Sequence, residues 1–282
     1  LFDMARSRDR RPFCLVVSLT HPHDPYVVPQ AYWDRYAAVA IDAPRVARAA
    51  VADDPHSRRL RHVIGLGEQT PDAGQVAAAR RAYLGAVSYI DDQVGALLGT
   101  LRESGLEDNT IVLLLADHGD MLGERGLWFK MNFFEPACRI PLIVCAPGRF
   151  APRRVTGHAS LVDLLPTLVE LGEGRSDREY AEPVDGLSLV PMLTGAGAGG
   201  RAAQHEVMGE YLAEGAIAPI VMIRRGRFKF VHSSADPDQL YDLEVDPLEL
   251  RNLAESAEQA RTVAAFRDEV SRRWSLTSLH AQ

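Results

Sequence analysis

Three short, continuous apolar runs mark the first half of the chain: PFCLVVSL (12–19), TIVLLLA (110–116) and IPLIVCA (140–146). Their length and β-branched content predict strands covered on both faces, the pattern of a largely parallel sheet. Between the first two runs, Val76, Tyr83, Val87, Ile90, Val94, Leu97 and Leu101 recur every three or four positions, with Pro71 before and Gly105 after. This spacing predicts one long helix from about Ala73 to Ser104, the crossover of a strand-helix-strand unit. A second helix is expected in SLVDLLPTLVELG, with Ser160 as N-cap, Asp163 three residues on and Gly172 as its stop. Residues 42–70, rich in Arg, Asp and Pro without a clear period, read as a surface insertion.

The pattern changes after GAGAGG (195–200), a flexible joint that divides residues 1–200 from a smaller unit at 201–282. Beyond it, EVMGEYL, IAPIVMIRRG, GRFKFVHS and QLYDL are short runs broken by turn signals, which predict a small antiparallel sheet. The stretch DPLELRNLAESAEQARTVAAFRDEVSRRW then predicts a closing amphipathic helix. The expected fold class is therefore α/β, with an appended antiparallel sheet and helix.

Charge narrows the partners. With 31 basic against 38 acidic residues the net charge is −7 over 282 residues, and the arginines form no stripe, which argues against nucleic acid. No apolar stretch approaches the ~20 residues of a membrane helix. Cys14, Cys138 and Cys145 form neither an even framework nor a CxxC motif, which points to a reduced, cytoplasmic setting; Cys14 and Cys145 fall in apolar runs and are expected to be buried. The opening LFDMARSRDRRPF lacks an initiator methionine, so the chain is expected to be the carboxyl-side part of a longer protein.

Two constellations carry chemistry. Asp117 and His118 follow TIVLLLA directly, and the carboxyl ends of strands in open α/β sheets face the ligand crevice. A carboxylate oxygen and a neutral imidazole nitrogen there suit a divalent metal, with Gly119 and Gly123 permitting a tight turn. Taken alone, Asp117 reads equally well as a turn cap and His118 as a solvated loop residue. Lys130 stands among Trp128, Phe129, Phe133 and Phe134, where an ammonium is either an anion grip or a lysine snorkelling over an aromatic face. In SLTHPHDPY, His21 and His23 occupy a loop stiffened by Pro22 and Pro25, again after a predicted strand; the plain alternative is a turn with incidental histidines. Together, Asp, His, Lys and His at two strand ends describe a metal-assisted site for a tetrahedral oxyanion.

THPHDPY, ADHGDMLGERGLWFKMNFFEPACRIPLIV and LYDLEVDPLELRNLA together resemble the type I sulfatases of the alkaline phosphatase-like superfamily, and SRDRRPFCLVVSLTHPHDPY with RRWSLTSLHA resembles their choline-sulfatase branch. The resemblance implies an alkaline phosphatase-like, mostly parallel sheet sandwiched by helices, holding one divalent metal beside a formylglycine made from cysteine. It implies that Asp117 and His118 supply half of the metal sphere, and that Lys130 holds sulfate oxygens. His23 would bind sulfate and protonate the leaving alcohol, while Glu135, Arg139 and Pro141 brace the segment. Relatives mostly carry Asn where His118 stands, which leans the metal from calcium toward manganese. The substrate implied is a small sulfate ester, choline sulfate first, and the enzyme is expected to be a homo-oligomer.

The family's first acidic ligands and its Cys-x-Pro-x-Arg nucleophile motif are expected upstream of residue 1, so the chain by itself is expected to be inactive. CAPGR (145–149) spells the same motif, but Thr156-Gly157 follows two residues too late, and Cys145 ends a strand instead of opening a helix, where a thiol would be activated. Rival readings are a phosphonate or phosphate monoester hydrolase, an arylsulfatase, and a non-catalytic anion-binding homologue.

Overall fold

The computed structural model describes residues 11–66, 70–177, 179–195 and 206–274, together with positions 1, 3 and 5. The predicted joint at 195–200 and the closing SLTSLHA lie almost wholly outside the described residues.

The long helix forms as its periodicity demands, and here is α3 (Ala73–Glu103), following α1 (Gln30–Asp34) and α2 (Pro55–Val63). Its start is fixed by a capping box: Asp72 accepts from the Gln75 backbone N–H, and the Gln75 side chain accepts from the Asp72 N–H. α1 lies across α3, where Gly85 lets the helices approach; a Cβ there would meet the Tyr32 carbonyl oxygen at 3.1 Å. Tyr36 reaches Ser88 at 2.7 Å and Arg81 grips the Trp33 carbonyl from the other side.

Two of the three apolar runs become strands, β1 (Val112–Leu115) and β2 (Leu142–Cys145), joined through the short α4 (Glu135–Cys138). They pair antiparallel, with Leu114 opposite Ile143 and Val112 opposite Cys145. The runs predict a largely parallel sheet, and this pair departs from it, because continuous apolarity carries no information about strand direction. The run at 12–19 forms no strand, and Val16 is 83% exposed. Cys14 and Cys145 are exposed as well, against the expectation of burial, because no described segment covers the run at 12–19 or the Ile143 and Cys145 side of the ribbon.

The helix after Ser160 begins with the expected reciprocal cap, runs through a 3₁₀ turn and continues as α5 (Leu164–Glu173). It stops at Gly174, not Gly172, since Gly174 takes the left-handed conformation (φ 72°) that closes a helix and its N–H bonds to the Glu170 carbonyl. A short α6 (Val190–Thr194) follows. The region 42–70 is more than a surface insertion. α2 buries Leu60 almost completely, and Arg59 pairs with Asp236 far along the chain. The helix was illegible because its buried face is mostly polar (His56, Ser57, Arg61).

The C-terminal sheet is a plain meander, β3 (Val207–Tyr211), β4 (Ile220–Arg225), β5 (Phe228–Ser233) and β6 (Asp236–Asp242), each strand antiparallel to the next. Short runs separated by turn signals, with Arg225-Gly226 at the β4–β5 turn, made it legible. Val221, Ile223, Phe230 and Leu240 pack on Val263, Phe266 and Val270 of α7 (Ala260–Arg273), each such side chain contributing roughly 1.5 to 3 kcal/mol of burial. Only the last half of the predicted closing helix is helical; residues before Ala257 form turns. A second core joins Leu60, Met121, Leu127, Phe134, Ala137 and Tyr241, and so seats α2 and the segment after β1 on the C-terminal sheet.

Candidate active site

The segment leaving β1 is held by close backbone approach. Gly119 donates to the Ala137 carbonyl at 2.7 Å, and a Cβ on Gly119 would lie 2.1 Å from the Pro136 oxygen, so only glycine fits. Gly123 serves differently, taking φ 89° in a turn that ends with Leu127. Fixed in this way, Asp117 is 84% exposed in its side chain and His118 stands beside it. His118 donates from Nδ1 to the Gly119 carbonyl at 2.8 Å, which leaves Nε2 as the bare nitrogen. That Nε2 lies 3.6 Å from Asp117 Oδ2. Two donors at right angles on one ion, each about 2.4 Å from it, stand about 3.4 Å apart. The pair therefore fits a divalent cation in spacing and in donor chemistry. Among the described residues no third His, Cys, Asp or Glu joins them.

Lys130 sits where the backbone is held out of its ordinary conformations. Phe129 (φ 65°) and Met131 (φ 67°) on either side of it, and Leu122 and Arg125 earlier in the segment, are non-glycine residues in the left-handed region. Each such residue costs roughly 1 to 3 kcal/mol and persists only where neighbours over-determine it. The neighbours are visible. Asp120 Oδ1 accepts from the N–H groups of Leu122 (2.9 Å) and Phe129 (3.1 Å), Met121 N–H bonds to the Phe129 carbonyl, and His56 donates from Nε2 to the Met131 carbonyl at 2.8 Å. Burial pushes the Asp120 carboxyl pKa up, against the backbone and tyrosine hydrogen bonds that favour its charged form.

The two histidines of HPHDPY point to different places. His21 turns its ring edge-on to Tyr89 (centroids 5.2 Å apart) and faces the Val27 carbonyl, so it belongs to local packing. His23 donates from Nδ1 to the Asp24 carbonyl at 2.8 Å, and its free Nε2 is in hydrogen-bond contact with Lys130 Nζ. The His23 and His118 rings stand 5.9 Å apart, edge to face. Peptide bonds 21–22 and 24–25, before Pro22 and Pro25, are both cis. The four residues singled out from sequence, His23, Asp117, His118 and Lys130, are thus brought to one place from loops about a hundred positions apart.

The C-terminal sheet braces this place from behind. Lys229 of β5, 1% exposed in its side chain, bonds to Glu135 (2.6 Å), Glu249 (2.8 Å) and the Phe133 carbonyl (2.8 Å). Glu249 also accepts from the Glu135 N–H, and Arg125 lies over the Phe134 ring while donating to the Glu249 carbonyl. Glu135 is therefore a bracing residue, as the resemblance implied. The partners Lys229 and Glu249 escaped the sequence reading, as did Tyr26, which donates to both oxygens of Asp120 at 2.9 and 3.0 Å. A tyrosine inside a histidine-proline loop was the one signal available.

Comparison with known proteins identifies the family. Residues 2–174 match the sulfatase family, and residues 123–275 match the C-terminal region of the N-sulphoglucosamine sulphohydrolases. A choline-sulfatase from Rhizobium meliloti is 44% identical over all of this chain and 55% of its own length, and a multifunctional alkaline phosphatase superfamily protein from Trinickia caryophylli is 29% identical over 88% of this chain and 53% of its own. The chain spans about half the length of these relatives. Among solved structures, a phosphonate monoester hydrolase from Silicibacter pomeroyi superimposes with a TM-score of 0.75 at 27% identity, over 89% of this chain and 53% of that one. The α/β fold is thus the alkaline phosphatase-like one, no described helix is long and apolar enough to cross a membrane, and the chain belongs to the sulfatase family.

Proposed function

We propose that the full-length protein hydrolyses sulfuric esters, with choline sulfate as substrate, and that Asp117, His118, Lys130 and His23 are this chain's share of the site. The observation that carries the reading is the convergence of a metal-suited Asp-His pair with a lysine and a histidine in mutual contact. A calcium or manganese ion on Asp117 and His118 would polarise the sulfuryl oxygens, and a formylglycine would supply the nucleophile. Lys130 binds a sulfate oxygen as a point charge and stabilises the negative charge that grows there. His23 acts as the imidazolium: with its Nδ1 proton held by the Asp24 carbonyl, it presents Nε2–H to the bridging oxygen and delivers that proton as the S–O bond breaks, leaving a neutral ring. An alkoxide such as that of choline is a poor leaving group and needs this proton, whereas an aryloxide needs it far less. Cys145 has no part in the reaction.

The experiment is steady-state kinetics of the full-length enzyme on choline sulfate and on a nitrophenyl sulfate. Lys130→Ala is expected to lower kcat/KM on both by roughly two to four orders of magnitude. His23→Ala is expected to lower it by a similar factor on choline sulfate, by less on the aryl ester, and His21→Ala to do little. Equal losses on both esters would remove His23 as the acid. The likeness to a phosphonate monoester hydrolase supports a second reading, in which phosphonate monoesters turn over faster than sulfate esters. A paired phosphonate ester in the same assay decides between them.

A further inference from the structure

We propose that Asp120 and Tyr26 are positioning residues that set the distance and aim between His23 and Lys130. This rests on the roles assigned above to those two groups.

Lys130 and His23 are 107 positions apart, and neither lies on a regular element. Their segments need a fastener, and the structure supplies one carboxylate. Through Oδ1, Asp120 holds the N–H of Phe129, the residue directly before Lys130, and the N–H of Leu122. Through both oxygens it holds the hydroxyl of Tyr26, three residues after His23. Among the described residues, this bond and the His23–Lys130 contact itself are the side-chain hydrogen bonds between the two segments. The Tyr26 ring fills the space between them, against Trp128 (6.0 Å), Phe129 (6.1 Å) and Tyr83 (6.2 Å).

The backbone gives the carboxylate its importance. Phe129 stands at φ 65°, and its N–H points at Asp120 because of that conformation. Loss of the Asp120 acceptor releases the Phe129 N–H and with it the direction in which the next residue, Lys130, projects. Loss of the Tyr26 hydroxyl leaves the Lys130 segment intact and frees the histidine loop. The two residues thus act on different ends of one contact. Both stand behind the site and neither touches the ester.

The test is a double-mutant cycle in the full-length enzyme, with Tyr26→Phe, His23→Ala and the pair, on choline sulfate and a nitrophenyl sulfate. Tyr26→Phe keeps the ring and its packing, so the melting temperature is expected to move little. Its kcat/KM on choline sulfate is expected to fall about 10- to 100-fold, the effect of misplacing a catalytic group by about 1 Å, with a smaller fall on the aryl ester. In the His23→Ala background the same change is expected to cost less than about 3-fold, because the group it aims is gone. Equal losses on the two esters, or a Tyr26→Phe effect that persists in full without His23, would overturn the proposal while leaving the role of His23 intact. A silent His23→Ala would instead remove the acid, and the proposal with it.

Discussion

Lys229→Met tests how far the C-terminal sheet holds the site together. The ammonium is buried and bonded to two carboxylates and a carbonyl, all of them in or touching the segment that follows Lys130. Methionine matches the length of the chain and keeps its packing, so the change isolates the charge. Breaking a buried ion pair from one side costs about 3 to 5 kcal/mol, most of it the uncompensated charge left behind. Here the orphan is Glu249, 2% exposed, which keeps the Glu135 N–H on its other oxygen; the expected loss is therefore at the lower end, about 3 kcal/mol. For a domain of this size that corresponds to a fall in Tm of roughly 6 to 12 °C.

The pH dependence of that loss is informative. Burial pushes the Lys229 pKa down, but the carboxylates of Glu249 and Glu135 outweigh it and the net shift is upward. Burial raises the Glu249 carboxyl, with Lys229 pulling the other way. A pKa raised in the folded state means that the folded protein holds the proton more tightly. Stability from Lys229 is thus complete below the ordinary lysine range and is lost as pH rises through its folded value. In Lys229→Met the unpaired Glu249 takes up a proton more readily, so the deficit is expected to shrink as pH falls toward the carboxylate range. Thermal melts of both proteins across pH measure it. A deficit below about 1 kcal/mol at neutral pH, or one that is flat with pH, would refute the account of Lys229 as the partner of a buried charge. Lys229→Met combined with Glu249→Gln, which removes both charges, is expected to recover much of the loss.

Two further outcomes follow from the metal side. Asp117→Ala in the full-length enzyme is expected to reduce bound divalent metal, read by elemental analysis of the purified protein, and to reduce turnover in parallel; unchanged metal content would remove Asp117 from the sphere. Gly119→Ala puts a methyl group against the Pro136 carbonyl and must shift the turn that carries His118, so metal affinity is expected to fall about 10- to 100-fold, the effect of disturbing what orients a ligand. Calorimetric titration of the metal-stripped enzyme checks this, and unchanged affinity would show that the turn yields without moving its ligands.

What the sequence determined by itself was local. The period of Val76 to Leu101 made α3, short runs broken by turn residues made the meander of β3 to β6, and a strand run ending in Asp117-His118 marked the candidate site. Such features depend on neighbours a few residues away, and their signal is written in spacing. The ranking of His23 over His21 came from resemblance to a family; in the fold His21 packs on Tyr89 and His23 meets Lys130.

Tertiary structure alone decided the rest. The run at 12–19 has the composition of a strand, but a strand exists only with a ladder partner, and composition names none. β1 and β2 carry apolarity without direction, and their pairing is antiparallel. α2 hides its buried face in polar residues whose partners, such as Asp236, lie far along the chain. The same holds for the residues that aim the site. Tyr26 finds Asp120 across 94 positions, and Lys229 finds Glu135 on a segment folded back onto its sheet. An ion pair or hydrogen bond of that span leaves no period in the sequence, because its two halves satisfy one another only after the chain has closed.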